Sequence, residues 1–349
     1  MADYKELEDA LGLVGELCTS EQIQSLLRTR KGTDQVRITA ESKDDLIGRN
    51  LRTAIEARAI PLDAVFNLIR EAEENGNQHI FYFRSRTKKL NDAMNREFFG
   101  QQLWGANWER HTASFPAIRL KPNDFKYSDL HRPNPRKPRD WLLKIYGDSL
   151  ITRATGKAER RGDNVVWREF VEEPLRIVLI ARWNSPDLLE IRVQRDESRR
   201  RIDAWVSQVW QMLKPALVRE QFEEWDLSDA MKQLILAQEK NRKVYEFRDA
   251  SLVDGEGGGV HANFNTFSDA GNLFASVSAK RSIQDFMSAD SSCNGLTVTW
   301  LPDANRTPPK ELRTILKAKR ANEIVAIGHC TAQDLDHVTE QLRSIRKSS

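Results

Sequence analysis

The sequence predicts an α+β protein: a small N-terminal helical domain, an antiparallel β-meander covered by helices, and a smaller C-terminal α/β module. Three observations carry this reading. Residues 1–76 place apolar side chains at helical spacing. From residue 141 the pattern changes to short apolar runs between turn signals, with connections too short for parallel crossovers. Ile202, Trp205, Val206, Val209, Trp210 and Leu213 then form one apolar stripe, the face of a helix lying on a sheet. The predicted divisions are a helical domain (1–76), a strand, helix and basic Pro-rich connector (77–140), a sheet with its helices (141–240) and the C-terminal module (241–349).

Each element has its own local reason. "YKELEDALGLVGELC" is amphipathic, and Ser20 stands as the cap of "EQIQSLLRTR". "SKDDLIGRNLRTAIEARAI" aligns Leu46, Ile47, Leu51 and Ile55, and Pro61 opens "PLDAVFNLIREAEE". After Gly76 and Asn77, His79 to Phe83 read as a buried strand, followed by the cations Arg84, Arg86, Lys88 and Lys89. "TKKLNDAMNREFFG" predicts one helix stopped by Gly100. "HRPNPRKPRD" predicts an extended basic loop, because each proline removes a donor and restricts its predecessor.

Five strands are expected next: "WLLKIYG", "SLITRATGKAER", "NVVWREFVEE", "LRIVLIARW" and "LLEIRVQ". Their turns fall at Gly147-Asp148, Gly162-Asp163-Asn164 and Asn184-Ser185-Pro186. Beyond the helix "DAMKQLILAQEKNRK", "KVYEFRDASLV" and "GVHANFNTF" flank a hairpin tip, "DGEGGG". "GLTVTWL" and "NEIVAIGHC" are further strands. The last helix begins at Thr331 with Asp334 as capping-box partner and Leu335, Val338, Leu342 and Ile345 as its apolar face.

Several function classes are excluded or left without support. No apolar run reaches the length of a membrane span, and the N-terminus lacks the order of a secretory signal. Three widely spaced cysteines make a disulfide framework improbable, so a cytoplasmic protein is expected. "DGEGGGV" lacks the lysine and hydroxyl residue of a phosphate loop. His329, Cys330 and His337 lack a second cysteine pair at ligand spacing, so neither a metal nor a cofactor is expected. Asp187 and Glu190 lie beside Arg192 on a short segment that reads as an alternating surface strand.

The charge distribution says more than the net +3. Residues 1–80 hold 10 Lys/Arg against 15 Asp/Glu, and residues 81–140 hold 13 against 6. The basic stretch either attracts an anion or keeps a surface solvated. Arg199, Arg200 and Arg201 stand at the positive end of the Trp205/Trp210 helix, where an anion or the neighbouring Asp196 and Glu197 must compensate. Lys310, Arg313, Lys317 and Arg320 recur at helical spacing, as a solvated or phosphate-tracking face.

Residues 19–57 resemble a SAP-like helix–extended–helix element in "SEQIQSLLRTR" and "ESKDDLIGRNL". The resemblance implies DNA binding, with Arg28, Arg30, Lys43 and Arg49 as backbone contacts. The connecting "KGTDQVRITA" is longer than usual, and Ser42 stands where that family has glycine. The order of modules also resembles the centromere protein N family, whose members bind DNA and partner proteins. The expectation is a non-enzymatic DNA-binding or adaptor protein whose partner is duplex DNA, with no membrane. Its phosphate contacts would further include Arg84, Arg86, Lys88, Lys89, Arg136, Lys137, Arg139, Arg199, Arg200 and Arg201. The alternatives are a protein–protein scaffold subunit and a diverged metal-dependent nuclease built on Asp187 and Glu190.

Overall fold

The computed structural model describes residues 4–29, 37–111, 125–161, 165–194, 201–241, 243–253, 258–263, 277–288, 291–302, 310–317, 320–328 and 330–347. It is an α+β protein with N-terminal helices and a large antiparallel sheet. Helices α1 (Tyr4–Leu17), α2 (Ser20–Arg28), α3 (Lys43–Asp45), α4 (Arg52–Glu56) and α5 (Leu62–Asn75) come first, with a π-type turn at Leu46–Leu51 joining α3 to α4. Ala10, Val14, Ile23, Leu27, Leu51, Ala54, Val65 and Ile69 form their shared core. The cap of α2 is Thr19 rather than Ser20: the Gln22 amide donates to the Thr19 hydroxyl, and the Gln22 side chain accepts from the Thr19 amide.

The strands are β1 (Gln78–Ser85), β2 (Lys126–His131), β3 (Trp141–Arg161), β4 (Val165–Asn184), β5 (Leu188–Gln194), β6 (Phe222–Glu224), β7 (Tyr245–Val253), β8 (Gly259–Asn263), β9 (Ser292–Trp300), β10 (Leu312–Leu316) and β11 (Glu323–Ile327). They form one sheet in the order β2-β3-β4-β5-β1-β11-β10-β9-β7-β8, with β6 added beside β1. The strands of 141–194 and of 245–327 are thus joined through β1, which pairs with β5 on one side and β11 on the other. Helices α6 (Lys88–Ala93), α7 (Arg96–Trp104), α8 (Ile202–Leu213), α9 (Ser228–Ala237), α10 (Val277–Ser288) and α11 (Ala332–Lys347) complete the fold.

Four local readings are corrected by this arrangement. Gly147 makes no turn: it lies inside β3, where a Cβ would come within 2.4 Å of the Phe125 ring, so glycine serves close packing. The five expected strands between 141 and 194 are therefore three. The expected helix ending at Gly100 is two helices broken at Met94 and Asn95, where Asn95 caps α7 through the Phe98 amide. Gly100 lies within α7 against Trp108. The cations of 310–320 flank and occupy strand β10, whose Leu312, Thr314 and Leu316 alternate into the core.

One sheet face carries Phe81, Phe83, Trp141, Leu143, Ile145, Leu179, Trp183 and Ile191, covered by α7 and by Ile202, Trp205, Val206, Val209 and Leu213 of α8. Phe99 of α7 stacks on Trp141 with ring centroids 4.1 Å apart. A Cβ at Gly100 would meet the Trp108 ring at 2.5 Å. Gly100→Ala is therefore expected to cost about 1–3 kcal/mol, read as a lowered urea midpoint at unchanged slope. The opposite face packs Ile80, Tyr82, Leu188, Val298, Trp300, Ile324 and Ala326 against Met231, Leu234, Leu335, Val338 and Leu342 of α9 and α11. Thr331 and Asp334 form the reciprocal cap that starts α11.

Candidate functional site

Strand directions decide where the cations go. Arg84 pairs with Leu188, Leu188 with Asn184, Trp141 with Trp183, and Leu142 with His131. The exit of β1, the β4–β5 turn and the Pro-rich β2–β3 loop thus leave the same end of the sheet. Three strand spacings separate β3 from β1, about 14 Å. Sequence segments some fifty residues apart are brought to one rim by topology alone.

On that rim Lys88, Lys89, Arg136 and Arg139 are exposed, and so is Arg132, which sequence reasoning did not nominate. The loop holds its shape through two tight turns, in which the Lys137 amide donates to the Asn134 carbonyl and the Asp140 amide to the Lys137 carbonyl. Arg86 donates to the Phe222 carbonyl. Several other nominated cations are engaged as follows. Arg84 pairs with Asp187 at 3.2 Å and lies over the Trp225 ring. Lys137 pairs with Glu340 and Asp336. Within the SAP-like stretch, Lys43 donates to the Gly15 carbonyl, Arg49 pairs with Asp45, and Arg28 is exposed at the end of α2. Arg201 precedes α8 and is exposed; Arg30, Arg199 and Arg200 lie outside the described residues. The rim is not uniformly basic, since Glu223 and Glu224 of β6 are exposed beside the exit of β1.

Beneath the rim, the mixed face of the sheet holds a buried layer of charge that sequence reasoning missed. Glu190 and Arg192, read as facing water, are 0% and 1% exposed. Helices α5 and α11 cover them. Arg192 donates to Glu190 at 2.6 Å and also reaches the Glu74 carbonyl. Asn184 donates to the second Glu190 oxygen, and Arg182 lies between Glu190, Asp140 and Asp336, donating to the last. Burial alone would raise the Glu190 carboxyl, but Arg192 and Arg182 hold it down to about 2. Asp187 is engaged by Arg84 and Arg343. The two acids of the nuclease alternative therefore serve separate arginines.

A second part of the layer joins the helical segment to the sheet. Glu73, at the end of α5, accepts from Lys144 (3.1 Å), Tyr146 (2.8 Å) and Arg176 (2.9 Å). Glu74 pairs with Lys144 at 3.0 Å and with Nε2 of His131 at 3.3 Å, while Nδ1 of His131 faces Asp129 at 2.9 Å. Acids at a helix C-terminus oppose its dipole, so "EAEEN" carries a signal in the sequence that nearby cations must exist. Three carboxylates (Glu73, Glu74, Asp129) balance three cations (Lys144, Arg176, protonated His131). Burial works against a charged imidazole, yet Glu74 and Asp129 hold His131 up to about 9. Glu74 is held down to about 2 by Lys144 and His131, again against burial. Ligand atoms of Glu74, Asp129 and His131 lie within 4.8 Å of one another. Both imidazole nitrogens face carboxylates and Lys144 reaches Glu74, so the chain's own cations occupy the place a metal would take.

A cavity of about 320 Å³ opens above this layer, lined by Glu71, Pro133 to Pro135, Thr331 to Gln333 and Asp336. Burial first, then Asp334 and Glu74, push the Glu71 carboxyl up. Cys330 is buried and donates to the Asn75 carbonyl; burial pushes it up to about 12, which opposes thiolate formation and with it a nucleophilic role. None of the helices among the described residues is long and apolar enough to cross a membrane. No family model matches the chain, and no curated protein matches it.

Proposed function

We propose that the protein binds duplex nucleic acid through the phosphate backbone, using the sheet end formed by the exit of β1 and the β2–β3 loop. The supporting observation is topological: Lys88, Lys89, Arg132, Arg136 and Arg139 are exposed at one end of the sheet, although they come from two separate stretches of sequence. Asp187, the acid of the turn between them, is neutralised by Arg84 and Arg343. The role is non-enzymatic and adaptor-like, with contacts that position rather than specify. Lys137 and Arg84 hold the rim in shape; they are not the contacts themselves.

Fluorescence anisotropy with a short DNA duplex, a single strand and an RNA duplex tests this. The affinity for duplex DNA is expected to fall with salt on a log–log slope of about −4, corresponding to four or five phosphates. Lys88→Glu with Lys89→Glu, and separately Arg136→Glu, should each reduce the affinity by roughly tenfold and flatten the slope by about one unit per charge removed. Absence of duplex binding at about 50 mM salt would end the proposal.

A further inference from the structure

The rim is built from the β2–β3 loop, the β4–β5 turn and the exit of β1, and one helix holds all three. Asp336, Glu340 and Arg343 stand at i, i+4 and i+7 on one face of α11, while Leu335, Val338 and Leu342 fill its buried face. Asp336 and Glu340 take the Lys137 ammonium of the β2–β3 loop at 3.5 and 2.7 Å. Arg343 grips the β4–β5 turn. Its guanidinium donates to the Asn184 side chain (3.0 Å), the Asn184 carbonyl (2.8 Å), the Ser185 carbonyl (3.1 Å) and Asp187 (3.2 Å). The other oxygen of Asp187 holds Arg84 of β1 at 3.2 Å, just ahead of Lys88 and Lys89.

The side chains of Arg84, Lys137, Asp187 and Arg343 are only 17–28% exposed, so these pairs are partly shielded from the water that makes surface ion pairs weak. A phosphate backbone presents charge at a regular spacing, and cations that wander lose part of each contact to the cost of ordering them. Arg132 and Arg136 lie on the loop tied to α11 by Lys137. Lys88 and Lys89 follow the strand tied to it through Arg84, Asp187 and Arg343. The spacing of the two cation clusters therefore depends on α11.

We infer that Lys137, Glu340, Asp187 and Arg343 are positioning residues of the nucleic-acid rim, with α11 as the strut that fixes the distance between its two cation clusters. The inference rests on the rim being the nucleic-acid site, and it departs in sign from simple electrostatics. Glu340 and Asp187 are acids at or beside the rim. By charge alone, removing either should tighten the binding of an anion. As parts of a strut, removing either should weaken it.

Asp187→Asn and Glu340→Gln test the sign. In fluorescence anisotropy with duplex DNA, they are expected to lower the affinity roughly fivefold and threefold, with the log–log salt slope within about half a unit of wild type. Loss of a direct phosphate contact would flatten that slope by about one unit. Lys137→Met should weaken binding about as much as Glu340→Gln does, and combining the two should add little, because the pair acts as one unit. Lys137→Arg, which keeps charge and reach, should bind as wild type does. Nitroxide labels on Lys89→Cys and Arg136→Cys read the rim in the absence of nucleic acid, since Cys18, Cys293 and Cys330 are buried. The distance distribution between the labels, measured by electron paramagnetic resonance, should be narrow in the labelled parent and broader in Asp187→Asn and Glu340→Gln. Tighter duplex binding by either acid-to-amide variant, or label distances that stay narrow in both, would overturn the strut. Absence of duplex binding by the wild type would end the nucleic-acid reading, and the label distances alone would then decide whether α11 holds the two clusters.

Discussion

Replacing Glu73 by alanine is expected to destabilise the full chain by about 3–5 kcal/mol, because Arg176 is left buried without its carboxylate and Lys144 loses one of two. Glu73 is 0% exposed, and its partners come from two neighbouring strands. The cost is one of orphaned charge, so it should be recoverable. Glu73→Leu combined with Arg176→Met removes both ends of one pair and leaves Lys144 with Glu74. That double variant is expected to regain at least half of the loss. Urea unfolding of Glu73→Ala, Arg176→Met and the double variant measures it. A loss below about 1 kcal/mol for Glu73→Ala would show that the layer is too well hydrated to matter.

The second large effect is pH dependence. His131 has its folded-state pKa raised from 6.5 to about 9. A raised value means that the folded chain holds a proton the unfolded chain has released. The stabilisation is therefore complete below pH 6.5 and is lost as pH rises through 9, about 3 kcal/mol in all. Glu74 and Glu190, held down to about 2, act in the opposite sense: their contribution is present above the unfolded value and is lost on acidification towards 2. Stability should therefore plateau between about pH 4.5 and 6.5. Buried Cys18, Cys293 and Cys330, pushed up by burial to about 12, 11 and 12, weigh against folding only above their ordinary value of 9.0 and leave the His131 window clear. Denaturant midpoints at pH 6, 7, 8 and 9 should fall for the wild type and stay level for His131→Gln. A wild type that is flat over this window would remove the buried imidazolium from the account.

The two effects share a structural meaning. The helical segment reaches the sheet through Glu73 and Glu74, and α11 reaches it through Asp336 and Arg343. Well-packed apolar residues would hold these faces together at least as strongly. A charged layer adds a requirement of register, since a one-residue slip of α5 would separate every pair. The registering role would itself be tested by the Glu73→Leu, Arg176→Met variant, which should recover at least half of the lost stability and yet lower hydrogen-exchange protection where α5 meets the sheet.

What could be read from the chain depended on how local each signal is. The stripe of α8, the cap of α11 and the buried strand from His79 to Phe83 are written in neighbouring residues, and they stand in the structure as read. Gly147 and Gly100 misled because glycine marks a turn in sequence, whereas here each yields its space to an aromatic ring, Phe125 and Trp108, that no local window contains. Lys310 to Arg320 suited a helical period as well as a strand. The strand prevailed because Leu312 and Leu316 are buried between β9 and β11. At the site, the exposure of Arg136 and Arg139 follows from a loop rich in charge and proline, and that of Lys88 and Lys89 from their place in the first turn of a short helix just past β1. The engagement of Arg84 and Lys137 does not, because their partners lie 103 and 203 residues away.

The sequence alone determined the α+β class, the periods of its elements and the basic character of residues 81–140, since each depends on side-chain spacing within a few turns or one strand. Only the tertiary structure decided that β1 links two halves into one sheet, that the cations of two segments share one rim, and that Glu190 and Arg192 lie in the interior. Contacts such as Tyr82 with Thr339, 257 residues apart, set these outcomes. Which face of a strand meets water is fixed by what folds over it, and a local pattern of alternating charge is the same whether a helix covers it or not.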